Sequence, residues 1–202
     1  MPILIKKIKC EKEKLIYIPN GVKKEFFKIR IKSKKIPVIF YLGRVAPVKN
    51  LNIFYELSEK FPSHTFLIYG PLEKGYKLKL NKNIKFINKI YDLKKEMELL
   101  KKYDIYILPS LREGLPQTLL EAMASGKLVI SSKTLGAKEL ITNEKNGFLF
   151  SNFSVLVKIL DYVLKNFKKT EKIRKKAKKI AENFLWGKII EKTEKLYLDL
   201  TK

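Results

Sequence analysis

Apolar residues gather in runs of four or five, separated by segments in which they return every third or fourth position. The runs are Leu15–Ile18, Val38–Leu42, Thr65–Tyr69, Ile84–Ile87, Ile105–Leu108, Leu128–Ser131 and Gly147–Phe150. Their shortness and near-continuous hydrophobicity predict strands buried on both faces. Helical spacing is expected at Val48–Lys60, Leu93–Lys102, Gln117–Ala124 and Leu135–Ile141. Strand and helix alternate, which predicts an α/β chain with a doubly wound parallel sheet that takes ligands at the carboxyl ends of its strands. From Ser154 to Leu200 the pattern turns helical and lysine-rich, with VLVKILDYVLKNF strongly amphipathic. Lys23–Lys35 reads as a basic connector. The expected organisation is one domain over 1–202: an opening strand and connector over 1–36, a sheet core over 37–153, and C-terminal helices over 154–202.

Composition narrows the chemistry. A chain of 202 residues with 46% apolar content can bury a real core, and no stretch nears membrane-spanning length. Charges break the apolar run of MPILIKKIKCEKEK, which argues against a signal peptide and for a cytoplasmic location. Cys10 is the single cysteine and His64 the single histidine. An internal disulfide and a zinc cluster are excluded, and a Ser-His-Asp triad or His-rich metal site is hard to build. No metal or cofactor is expected.

The formal net charge is +24, and all but four of the 44 cationic residues are lysine, the exceptions being Arg30, Arg44, Arg112 and Arg174. Such an excess attracts nucleic acid or an anionic membrane surface. The competing reading is a lysine-rich proteome, in line with Gln117 as the single glutamine. The lysines are spread along the chain without an arginine-aromatic block, which disfavours nucleic acid as a partner.

Two predicted strand ends carry polar groups suited to a ligand. In YLGRVAPVKNL a strand ends at Gly43, and Arg44 and Lys49 flank the approach to the next helix. Glycine admits close backbone approach, a helix N-terminus favours anions, and the two cations suit a diphosphate. Chance placement in a chain this basic carries equal weight. In PSLREGLPQTLLEAMASG, Pro116 and Gly126 bracket a short apolar helix. Glu121 lies inside that helix among Leu119, Leu120, Ala122, Met123 and Ala124. Burying an unpartnered carboxylate costs several kcal/mol, so Glu121 needs either a lysine or ligand hydroxyls. Glu113, near the helix start, is either a carboxylate favoured by the helix dipole or a ligand contact.

Taken together, IPNGVKKEFF, LGRVAPVKN and YDIYILPSLREGLPQTLLEAMASGKLVISSKTLGAKELITNEKNGFLF resemble the family 4 (group 1) glycosyltransferases of the GT-B fold. The likeness is to their C-terminal, Rossmann-like, nucleotide-sugar-binding domain and covers roughly Ile16 to Tyr197. The most specific part is the glutamate pair of EGxPxxxLEAMAxG, Glu113 and Glu121. The resemblance implies a retaining, hexosyl-type transferase whose partner is a nucleoside-diphosphate sugar. Arg44 and Lys49 would hold the diphosphate, with Gly43 allowing close approach. Glu121 would accept from the ribose hydroxyls and Glu113 would contact the transferred sugar, positioning it without acting as a covalent nucleophile. Backbone N–H groups of Gly114, Leu115 and Gln117 would meet sugar and phosphates. Phe86, Ile87, Asn88 and Tyr91 fall in the stretch that holds the nucleobase, and Trp186 matches the aromatic that opens the closing helix. Lys23, where the family commonly has aspartate, and the changed glycines near Ile87-Asn88 and after Gly70 are departures that bear on the base. A complete enzyme of this kind has an acceptor domain of similar size, so the resemblance implies a donor-binding half needing an acceptor domain or subunit, the alternative being a non-catalytic sugar-nucleotide-binding subunit. A lipid-linked acceptor at the cytoplasmic membrane face would accommodate the lysine excess.

Overall fold

The computed structural model describes residues 11, 14–30, 36–89 and 92–201. Six parallel strands form one sheet in the order β3-β2-β1-β4-β5-β6. They are β1 (Ile39–Leu42), β2 (Phe66–Tyr69), β3 (Ile84–Ile87), β4 (Ile105–Leu108), β5 (Leu128–Ser132) and β6 (Phe148–Phe150). Every residue of β1, β2 and β4 is buried, as expected of strands covered on both faces. The helices are α1 (Ile53–Lys60), α2 (Leu93–Lys102), α3 (Gln117–Ala124), α4 (Leu135–Leu140), α5 (Phe153–Lys165), α6 (Glu171–Ala181) and α7 (Trp186–Leu200).

The chain leaves β1 toward β2 and leaves β4 toward β5, so β1 and β4 are neighbours from which it diverges. Right-handed crossovers then put α1 and α3 on opposite faces and open a crevice at the carboxyl ends of β1 and β4. Helix α3 packs on α6, and α1 packs on α5 and β3. Leu119, Leu120, Ala122, Met123 and Ala124 of α3 are fully buried.

Two expected elements differ. Leu15–Ile18 forms no strand; Ile16 and Tyr17 are exposed, and no neighbouring strand pairs with them. The chain instead pairs at Val22, whose N–H donates to Phe184 O at 2.6 Å and whose carbonyl accepts from Trp186 N at 3.2 Å. The helix expected over Val48–Lys60 is two pieces, a 3-10 turn over Pro47–Lys49 and then α1. Asn50 separates them at φ 51°, a left-handed conformation asparagine tolerates and helices do not continue through. In the basic connector, Lys24–Lys28 form a 3-10 turn that buries Phe26, while 31–35 lie outside the described residues.

Candidate functional site

The crevice is built from two loops. After β1, the chain turns through Pro47–Lys49, which aims Lys49 back over the strand ends. After β4, Leu111 N donates to Val48 O at 2.9 Å and ties the second loop to the first. Residues 64 apart in sequence thus meet: Lys49 Nζ lies 2.6 Å from Glu113 Oε1, with the side chains 20% and 11% exposed.

This ion pair lines a cavity of about 210 Å³ together with Tyr41, Gly43, Arg44, Leu115, Pro116, Gln117 and Thr118. The N-terminus of α3 opens onto the cavity, so unpaired backbone N–H groups and the positive end of the helix dipole add to Lys49. Tyr41 OH donates to Arg44 O at 2.8 Å and holds the first loop. The Arg44 guanidinium itself reaches outward to Glu73 at 3.1 Å in an exposed pair. Tyr106 OH hydrogen-bonds Thr118 Oγ1 at 2.7 Å, which fixes the first turn of α3 to the sheet.

Backbone packing sets how close these loops stand. A Cβ on Gly70 (φ 146°) would overlap the carbonyl of Gly43, so β1 and β2 can end side by side only with glycine there. Likewise, a Cβ on Gly136 in α4 would overlap the carbonyl of Gly114, and Gly136 N donates to Glu113 O at 3.3 Å. The Glu113 loop therefore rests directly on α4.

Of the residues singled out from sequence, Gly43, Arg44, Lys49, Glu113, Leu115 and Gln117 line the cavity. Gly114 lies in the same loop, its carbonyl against Gly136. Glu121 sits one turn further into α3 and is not a lining residue. Gln117 links it to the cavity, its Nε2 donating to Glu121 Oε1 at 3.0 Å and to Gly21 O at 2.9 Å. Phe86 and Ile87 end β3, two strands from β1. Ile87 O accepts from Gly70 N at 3.0 Å and Asn88 Oδ1 from Leu72 N at 2.9 Å. Tyr91 lies outside the described residues.

The partner of Glu121 is unexpected. Besides Gln117 it neighbours Glu96 of α2, a second acid, while Lys23 stands near enough to favour the charged form of both. Burial, the Glu121 charge and their mutual hydrogen bond push Glu96 up to about 9. Burial raises Glu121 as well, against the hydrogen bonds from Glu96 and Gln117. Glu96, Glu73, Tyr41 and Gly136 were not singled out beforehand. Glu96 alone had a sequence cue, since it falls on the stripe of Leu93, Met97 and Leu100 at helical spacing. Among the described residues, no group of three His, Cys, Asp or Glu side chains is placed to hold a metal ion.

The family profile described as Glycosyl transferases group 1 matches residues 22–180. The chain belongs to the group 1 glycosyl transferases. Its parallel sheet and flanking helices are those of a GT-B C-terminal domain. A crystal structure of a glycosyltransferase from Rickettsia africae ESF-5 superposes with a TM-score of 0.87 at 22% identity, covering 100% of this chain and 61% of that one. Anabaena HepE in complex with UDP and glucose superposes with a TM-score of 0.76 at 22% identity, covering 92% of this chain and 56% of that one. Among curated relatives, the UDP-Gal:alpha-D-GlcNAc-diphosphoundecaprenol alpha-1,3-galactosyltransferase of Escherichia coli is 30% identical over 226 residues. That match takes in 98% of this chain and 57% of the relative. This glycosyl transferase chain thus spans little more than half the length of such relatives. No described helix is long and apolar enough to cross a membrane.

Proposed function

We propose that this domain binds a nucleoside-diphosphate sugar in the crevice at the ends of β1 and β4 and serves as the donor half of a retaining hexosyl transfer. The observation that carries the reading is the Lys49–Glu113 pair, which puts a cation and an acid side by side at a helix N-terminus. An ammonium has three donors, so Lys49 can keep Glu113 and still donate to a phosphate oxygen. That arrangement bridges the two halves of the donor, with diphosphate on Lys49 and sugar hydroxyls on Glu113. Arg44 stands at the rim, where it can leave Glu73 for phosphate.

In the reaction the bond from the anomeric carbon to the diphosphate breaks, an acceptor hydroxyl oxygen forms the new bond to that carbon on the same face, and the hydroxyl's proton passes to the departing diphosphate. The departing nucleoside diphosphate takes the electron pair, and its charge meets Lys49, Arg44 and the α3 N-terminus. These fixed cations fill the role of a metal ion in the proposal, which calls for neither metal nor cofactor. Glu113 orients the sugar and offsets positive charge developing on its ring. Glu121 and the stretch Phe86–Asn88 take the nucleoside end. An acceptor domain or subunit supplies the opposite wall of the cleft.

Calorimetric titration with UDP, GDP, ADP and their glucose conjugates tests the reading. At least one should bind, and Lys49→Ala should abolish most of that affinity. If none binds at millimolar concentration, the reading fails.

One feature favours a membrane as the setting. Helix α6 exposes Lys172, Lys175, Lys176 and Lys179, a basic face suited to anionic lipid. The Escherichia coli relative is named for an undecaprenol-linked substrate. A lipid-linked acceptor at the cytoplasmic face would unite these facts. Sedimentation with phosphatidylglycerol vesicles, lost at high salt, is the expected result.

A further inference from the structure

Away from the donor crevice, two cavities adjoin along α6. The first, of about 500 Å³, is lined by Phe148 of β6, Lys158, Ile159 and Tyr162 of α5, Ile173 of α6, and Glu144. Its surface is mainly apolar, and the charges of Glu144 and Lys158 offset one another. The second, of about 360 Å³, brings Lys145, from the turn before β6, together with Lys176, Lys179 and Ile180 of α6. Glu182 is the single acid among its lining residues. Glu144 and Lys145 are consecutive, and Ile173 and Lys176 stand one helical turn apart, so the cavities are neighbours. Ile173, Lys176 and Ile180 follow an i, i+3, i+7 spacing that puts them on one stripe of α6. Apolar surface reaches solvent there: Tyr162 is 52% exposed and Ile180 38%. The acids between Phe153 and Ala181 are Asp161 and Glu171, and each already holds a lysine one turn on, Lys165 at 2.8 Å and Lys175 at 2.7 Å. Lys145, Lys176 and Lys179 are exposed and make no ion pair among the described residues.

Resting on the membrane setting proposed above and not on the donor crevice, we propose that this face docks an anionic phospholipid of the bilayer. The headgroup phosphate lies among Lys145, Lys176 and Lys179, whose ammonium groups donate to its oxygens. The start of an acyl chain lies on Phe148, Ile159, Tyr162 and Ile173, where burial removes apolar surface of both partners from water. One turn of α6, about 5.4 Å, separates the two parts, on the scale of the glycerol that joins phosphate to chain. An anionic amphiphile satisfies both cavities at once. A free phosphate or a nucleic acid would use the lysines and leave the apolar cavity empty. The chain's lysine excess thus has one place where it is paired with an apolar recess, and that place turns the β6 edge of the domain toward the membrane.

Two measurements on the whole chain test the docking surface: sedimentation with phosphatidylglycerol vesicles at low salt, and calorimetry with dihexanoyl-phosphatidylglycerol. The wild type should bind both, and should bind glycerol 3-phosphate about tenfold more weakly than the short-chain lipid, the scale of two buried methylenes. The triple variant Lys145→Glu, Lys176→Glu, Lys179→Glu should lose about 100-fold or more in vesicle affinity. Lys77→Glu, Lys79→Glu, Lys82→Glu removes the same charge from exposed positions between β2 and β3, and should change it by less than about fivefold. Ile173→Ser with Tyr162→Ser should erase the preference for the short-chain lipid over glycerol 3-phosphate. Tyr162→Ser alone, at an exposed position, carries the same test if the double variant does not fold. Equal losses in the two lysine variants would overturn a local docking surface and leave only overall charge. Glycerol 3-phosphate bound as tightly as the short-chain lipid, or single-stranded RNA bound more tightly than the vesicles, would overturn the lipid as occupant. Titration with UDP separates the two proposals. UDP bound without vesicle binding strikes the docking surface and leaves the donor reading, and vesicle binding without any nucleotide binding does the reverse.

Discussion

Glu113 and Glu121 lie eight positions apart, and the structure gives them opposite partners. Glu113 meets a cation, Lys49, at the mouth of a cavity. Glu121 meets another acid, Glu96, behind the first turn of the same helix. The first arrangement is already neutral and can exchange partners when a ligand arrives. The second sets two acids beside each other, with Gln117 Nε2 donating to Glu121 at 3.0 Å. The difference teaches that the net charge of +24 does not decide what surrounds a given acid. Local packing does so, because exposed lysines remain in water where their solvation is cheapest.

Breaking the cationic side should have the largest effect. Lys49→Ala should weaken binding of UDP by about 10- to 100-fold, the loss of a charge-assisted contact that also leaves Glu113 unpaired. Calorimetry reads this directly. On the acidic side, Glu121→Ala should cost about tenfold for UDP and leave inorganic pyrophosphate unaffected, because pyrophosphate carries no diol. Equal losses for both would erase the distinction between the two acids. Glu113→Gln should change UDP affinity by less than about threefold while removing the preference for UDP-glucose over UDP, since its proposed contact is to the sugar. The smallest effect belongs to the rim. Glu73→Gln frees Arg44 from an exposed pair, so stability should shift by under about 1 kcal/mol and UDP affinity should rise slightly.

Much of the fold was legible because buried parallel strands are written as short apolar runs. Ile84–Ile87 and Ile105–Leu108 lie where the pattern puts them, and so do the helices Leu93–Lys102 and Gln117–Ala124. Leu15–Ile18 reads the same way and is not a strand, because hydrophobicity marks a segment that can pair and says nothing of a free sheet edge beside it. The break at Asn50 was hidden for a related reason: apolar spacing continues across it, and only the backbone angle ends the helix.

At the site, the residue types near each strand end could be read, and their pairing could not. Lys49 and Glu113 are far apart in the chain and meet because β1 and β4 are neighbours. Arg44 looked equivalent to Lys49 in sequence, yet it turns outward to Glu73. Glu96 and Glu98 are two glutamates in one lysine-rich helix. Their different fates, one buried against Glu121 and one paired with Lys95 at 3.0 Å, follow from a rotation of two residues. Gly136 carried no local cue, since the carbonyl it admits belongs to a loop 22 positions earlier.

The sequence holds a single tryptophan, and its indole covers Gly21 so closely that a Cβ there would overlap the ring. The carbonyl of Gly21 accepts from Gln117, and Gln117 also donates to Glu121. A rearrangement of that acid reaches Trp186 through two hydrogen bonds and one van der Waals contact. The one indole of the chain thus lies two hydrogen bonds and one ring contact from a carboxylate it never touches.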